Sequence, residues 1–209
     1  MIRVVPQPEP PVFSARVRRP GRRFLRRTPN PTSKQFATHA YWREVLVLLH
    51  EAYRGICAYS CHWIPYDTGS DTVEHFLCKK NHPDRAYEWT NYRLVCGTLN
   101  GRKGDFDDVL DPFVVENGDF VLQFPSLLVV PSPDLPFADQ KKVQRTIDRL
   151  RLNDEGTCLK SRIKWVYDYC DDHISFEHLR FHAPFIVLEL ERQNLTMKIK
   201  SVMHARQPD

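Results

Sequence analysis

The chain has 209 residues, 42% of them hydrophobic and 27% charged, with a formal net charge of +4, which suits one ordinary core or a small catalytic module with an appended region. No apolar run approaches the roughly 20 residues of a membrane helix, and prolines at 6, 8, 10 and 11 interrupt any leader-like stretch, so the expectation is a cytoplasmic protein with no membrane partner. In that setting the six cysteines read as reduced thiols or metal ligands rather than as a disulfide framework.

Charge is unevenly spread. Residues 1–30 hold eight Arg and one Glu, a net of +7 within a chain of +4, so the remainder carries −3. Seven of the sixteen prolines also fall within residues 1–31, and this composition predicts a flexible arm that buries too little apolar surface to fold. Its arginines, Arg18, Arg19, Arg22 and Arg23 among them, could neutralise phosphates and release counterions. A solvated tail, or a strap on an acidic partner face, is the alternative.

From Thr32 the pattern becomes helical, with Phe36, Tyr41, Val45, Leu46, Leu49 and Tyr53 on one stripe. Thr32 or Ser33 can cap its start and Gly55 its end. His39 and His50 read as packing or surface residues and the aromatic stripe as core. The loop from Pro65 to Ser70 reads as a turn leading into an alternating strand that ends Val73-Glu74-His75-Phe76.

A basic loop with Lys79, Lys80, His82 and Arg85 follows, then Trp89-Thr90-Asn91-Tyr92, then Asn100 with Arg102, Lys103 and Gly104. A carboxylate, a histidine and an amide arriving from separate segments suggest a small metal-dependent hydrolytic site. Asp105, Asp107, Asp108 and Asp111 lack the spacing and terminal Glu of an EF-hand and read as solvated. Asp111-Pro112 marks the expected end of this module.

The order and spacing of Glu74-His75, Asn91 and Asn100, with the phrases VEHF, YEWTNYRL and NGRKGD, resemble the HNH endonucleases, especially those of bacterial anti-phage and mobile-element systems. The resemblance covers about a quarter of the chain. It implies a ββα-metal fold, with one Mg²⁺ or Mn²⁺ held by Glu74 and Asn100, His75 as general base and Asn91 holding the loop and the histidine ring. It also puts Arg102 and Lys103 within reach of a DNA phosphate.

Many relatives of that type carry two Cys-x2-Cys knuckles around a structural zinc. Here Cys57 is paired with Ser60, and Cys96 with Leu99, so half of each knuckle is missing. Cys61 is a possible substitute, and Cys57, Cys61 and Cys96 together read as a vestigial zinc site in which apolar packing has replaced the metal.

Phe113 to Val130 alternates around Glu116-Asn117-Gly118-Asp119, the signal of a β-hairpin. Three helical patterns follow, at about 137–152, 157–170 and 175–193, with Pro184 bending or starting the last. His173, His178 and His182 show no convincing ligand spacing.

The expected architecture is α+β: an arm over 1–31, an HNH module over 32–112, and a hairpin with helices over 113–209. This last region, with the arm, is the expected surface for a partner ATPase or sensor if the chain is a defence effector that cleaves DNA. A retired HNH fold that only binds DNA, and an interaction subunit with structural histidines, remain alternative readings.

Overall fold

In a computed structural model of the chain, which describes residues 1–204, the arginine-rich segment expected as a flexible arm is helical. A π-helical stretch, Ser14–Arg18, runs into α1, Arg19–Arg27. The reason lies in periodicity that composition averages away: Phe13, Val17, Gly21 and Phe24 are all buried, giving this basic segment one continuous inward face. Phe13 meets Trp89 and Tyr92 edge-on, with ring centroids 5.6 and 5.7 Å apart.

The chain is α+β and its contacts divide it into two units. The first comprises Val4–Ala58 and Ile64–Asp107; the second comprises Met1–Arg3, Tyr59–Trp63 and the chain from Asp108 onward. The division falls at Asp108 rather than after Pro112, and most of the expected arm belongs to the first unit.

The helix expected from Thr32 to Gly55 is broken into α2 (Ser33–Thr38), a 3-10 stretch (Tyr41–Val45) and α3 (Leu46–Ala52). Thr32 and Gln35 form a capping box at the start of α2. At its end, Thr38 Oγ1 donates to the Gln35 carbonyl at 2.9 Å and His39 Nδ1 bonds the same oxygen at 2.9 Å. Side chains thus satisfy carbonyls that a continuing helix would use. Gly55 closes α3 with a positive φ of 69°, its N–H donating to the His50 carbonyl.

Two strands follow, β1 (Asp71–His75) and β2 (Tyr92–Cys96), and then α4 (Gly97–Lys103). The strands are antiparallel, pairing Asp71 with Cys96, Glu74 with Arg93 and His75 with Tyr92. Helix α4 packs on both.

The second unit holds β3 (Phe120–Gln123) and β4 (Leu128–Pro131), an antiparallel hairpin, followed by α5 (Phe137–Leu150), α6 (Cys158–Cys170), α7 (Phe176–His182), α8 (Pro184–Arg192) and α9 (Ile199–His204). The hairpin turns at residues 124–127, not at Glu116–Asp119, which makes a separate turn before β3. Pro125, which has no N–H to offer a ladder, lies in the true turn. The helix expected over 175–193 divides at Ala183, because Pro184 has no N–H to continue α7 and suits the first position of α8. Glu189 on α8 is fully buried and accepts from the Leu122 N–H of β3 at 2.9 Å. No helix among the described residues is long and apolar enough to cross a membrane.

One buried titratable group in this unit gives a pH-dependent stability. His62 bonds Ser161 Oγ through Nδ1 at 3.1 Å, and its buried Nε2 has no hydrogen-bond partner. Burial, then the Arg162 charge, push its pKa down to about 3. The unfolded chain, with a histidine pKa of about 6.5, therefore binds the extra proton between the two values, and stability falls as pH drops through that window. At about pH 4.5 the loss from this residue is on the order of a few kcal/mol. Denaturant titrations should show the stability gap between wild type and His62→Gln shrinking from neutral pH to about pH 4.5. A gap that does not change with pH would remove His62 as the cause.

Candidate active site

The alternation of β1 ends at Glu74 and His75, both buried, and these two side chains line a cleft of about 540 Å³. Asn100 and Gly101 of α4 enter the same cleft, as do Trp42 and Arg43 from the 3-10 stretch and Lys79 from the loop after β1. Glu74, His75 and Asn100 are thus brought together from two segments well separated in sequence.

His75 is held on three sides. Its Nε2 bonds the Ala86 carbonyl at 3.0 Å; a carbonyl only accepts, so Nε2 carries the proton and Nδ1 keeps its lone pair. Trp42 meets the imidazole edge-on at a centroid separation of 4.7 Å, and Tyr92 does so at 5.1 Å. Burial, then the Lys79 ammonium, hold the imidazole pKa down at about 3, so the ring is neutral throughout the physiological range.

Asn91 is buried and braces the loop beside that ring. Its Oδ1 accepts from the Leu77 N–H at 2.8 Å, and its Nδ2 donates to the carbonyls of Leu77 at 3.0 Å and Arg85 at 3.1 Å. The residue after Arg85 supplies the carbonyl that His75 uses, and the Tyr92 hydroxyl donates to that same oxygen at 2.8 Å. Asn91 therefore acts on the histidine through the backbone, not by touching the ring.

Lys103 departs from the expectation of a phosphate contact. It is fully buried, and its Nζ donates to Glu74 Oε1 at 2.8 Å and to the His75 carbonyl at 3.2 Å. Helix α4, which packs on β1 and β2, carries the lysine inward, and Gly104, with φ of 53°, ends the helix immediately after it. Burial pushes the Glu74 carboxyl up to about 7, against the downward pull of Lys103. Arg102, its neighbour, is half-buried.

Asn100 Nδ2 donates to Thr72 Oγ1 at 2.8 Å, and Thr72 Oγ1 in turn donates to the Val95 carbonyl at 2.6 Å. The amide carbonyl is the atom Asn100 offers to a cation, and the Glu74 carboxylate, which lines the same cleft, has a second oxygen besides the one on Lys103. A carboxylate and an amide oxygen suit a hard divalent ion that keeps several waters, so the donor set fits Mg²⁺ or Mn²⁺. Among the described residues, no group of three His, Cys, Asp or Glu side chains is arranged to hold a metal.

The cysteines of the expected vestigial zinc site are divided. Cys57 Sγ accepts from the Cys96 N–H at 3.5 Å in the first unit, whereas Cys61 belongs to the second. Arg18, Arg19, Arg22 and Arg23 lie on the N-terminal helical segment, Arg18 half-buried and the other three exposed.

Trp42 and Thr72 are cleft residues that sequence reasoning passed over as functional, whereas Lys79 belongs to the basic loop that could border a phosphate path. Thr72 was within reach, since it stands two positions before Glu74 on the same strand face. Trp42 carried only a core signal, because an aromatic stripe does not reveal which residue it will cover. No protein-family model matches the chain, and no curated protein does.

Proposed function

We propose that this chain is a metal-dependent endonuclease of the HNH type that hydrolyses phosphodiester bonds in DNA. The observation that carries the reading is the convergence of Glu74, His75 and Asn100 on one cleft, in an order of strand, strand and helix that agrees with a ββα-metal arrangement. The His75 Nδ1 takes a proton from the attacking water, and Nε2 stays on the Ala86 carbonyl so that the base keeps its tautomer.

Glu74 and Asn100 hold the divalent ion, which when bound neutralises charge building on the phosphate and supports the departing oxygen. Asn91 keeps the loop and the Ala86 carbonyl in register. Lys79, on the cleft wall, offers a charge to a substrate phosphate. Action as the nuclease of a cytoplasmic anti-phage complex, gated by a partner ATPase or sensor, is part of the same proposal.

A second reading has its own support. The Lys103 ammonium already rests on Glu74, which suits a retired HNH fold that binds DNA without cutting it. Supercoiled plasmid incubated with Mg²⁺ or Mn²⁺ separates the two: nicking that EDTA stops supports the nuclease. Salt-sensitive DNA binding with no metal-dependent nicking supports the retired fold.

A further inference from the structure

The segment Ser14–Arg27 displays its arginines in an ordered way. With Phe13, Val17, Gly21 and Phe24 buried, the exposed positions of the segment are Ala15, Arg16, Arg19, Arg22, Arg23, Arg26 and Arg27. Arg18, which is half-buried, pairs with Glu9 and Glu88, and Arg22 pairs with Glu88 at 2.8 Å. Arg16, Arg19, Arg23, Arg26 and Arg27 make no ion pair among the described residues.

The segment has a fixed seat in the unit that contains the cleft. Gly21 lies so close to Tyr87 that a Cβ there would stand 2.1 Å from the ring. The Tyr87 ring is 5.8 Å from that of Trp42, which meets His75. Two aromatic rings therefore separate the helix from the candidate base.

We propose that this helix binds the backbone of double-stranded DNA, with Arg16, Arg19, Arg23, Arg26 and Arg27 reaching the two phosphate rails that flank one groove. The inference rests on the reading of DNA as substrate and specifies its duplex form. Arg27 follows Arg16 by eleven positions, a rise of about 16 Å at about 1.5 Å per residue. That exceeds the major-groove width of about 12 Å, so the ends of the row can serve different strands. A single strand offers only one rail. An acidic protein surface is the poorer fit, because protein interfaces centre on buried aromatic or aliphatic anchors, and the exposed face here has none beyond Ala15.

The test is fluorescence anisotropy with the full chain in EDTA, using a labelled duplex of about 20 base pairs and the matching single strand, from about 50 to about 200 mM salt. Each lost duplex contact removes about 0.9 from the slope of log affinity against log salt, so the triple variant Arg19→Ala, Arg23→Ala, Arg26→Ala should be shallower by about 2.7. The matching lysine substitutions should keep the wild-type slope, since they keep the charges.

An unchanged slope in the alanine triple, or a lysine triple as impaired as the alanine one, would overturn the proposal. So would single strand bound as tightly as duplex, or poly-glutamate competing as well as DNA. Cleavage plays no part in this readout. Uncut plasmid with an intact slope difference overturns only the reading of a nuclease that cuts without a partner, whereas metal-dependent cutting with an unchanged slope overturns this inference alone.

Discussion

Replacing His75 with alanine is expected to lower metal-dependent plasmid cleavage by roughly 10²–10⁴-fold, the usual contribution of a positioned general base. The ring offers one basic atom: Nε2 is committed to the Ala86 carbonyl, so removing the side chain removes the one imidazole lone pair that lines the cleft among the described residues. Burial and the Lys79 ammonium keep that lone pair unprotonated at neutral pH, the imidazole pKa lying near 3, and make it a weaker base than an ordinary imidazole.

The ring is also packed between Trp42 and Tyr92, so the variant opens a cavity and loses some stability. Thermal unfolding and duplex binding in EDTA should therefore be measured alongside. Folded, DNA-binding His75→Ala that still cuts within a few-fold of wild type would sink the base assignment and leave the fold untouched.

The second large effect concerns stability. Lys103→Met should destabilise the first unit most at alkaline pH, by up to about 3–5 kcal/mol, where the Glu74 carboxylate is left buried and charged without a partner. The pH dependence has a definite sign. Burial already raises the Glu74 pKa to about 7, and loss of the lysine raises it further.

A carboxyl whose folded pKa lies above its unfolded value favours the folded state below the unfolded value, near 4.3, and loses that advantage as pH rises through the folded one. Both proteins lose stability together up to about pH 7, so the deficit of Lys103→Met should be smallest below about pH 7 and grow as pH rises above it, by denaturant titration. Adding Glu74→Gln should recover most of the loss at the higher pH. A deficit that stays constant with pH, or is not relieved by the second substitution, would show that Lys103 stabilises by packing instead.

The two cases mark different depths of legibility. The position of His75 at the end of a strand was readable from the alternation of Val73, Glu74, His75 and Phe76, since a period of two is a property of neighbouring residues. A cap at Thr32 or Ser33, a bend or start at Pro184 and a helix end at Gly55 were readable for the same reason. Each is decided within about one helical turn by groups that must satisfy their own backbone.

The hairpin was legible as a hairpin and misplaced as a turn. Asn117-Gly118 is a strong local turn signal, yet the pairing partner of β3 is chosen by which strand covers Phe120 and Leu122. The N-terminal segment shows the limit of composition. Its prolines and arginines describe an unfolded chain, while three apolar side chains and one glycine at helical spacing decide the outcome once Tyr87, Trp89 and Tyr92 are present to receive them.

What the sequence determined by itself is therefore the set of chemically active groups and some of the local elements that carry them: a Glu-His pair ending a strand, an asparagine before the next, and an asparagine and lysine on a helix, which was expected to begin near Asn100 and instead runs Gly97–Lys103 and closes at Gly104. Which groups face each other was decided by tertiary structure alone. Lys103 could have met a phosphate or a carboxylate, and the packing of α4 on β1 and β2 turned it toward Glu74. The physical reason is that helical and strand periods state which face of an element is apolar, whereas the partner of a buried charge depends on the element laid across that face.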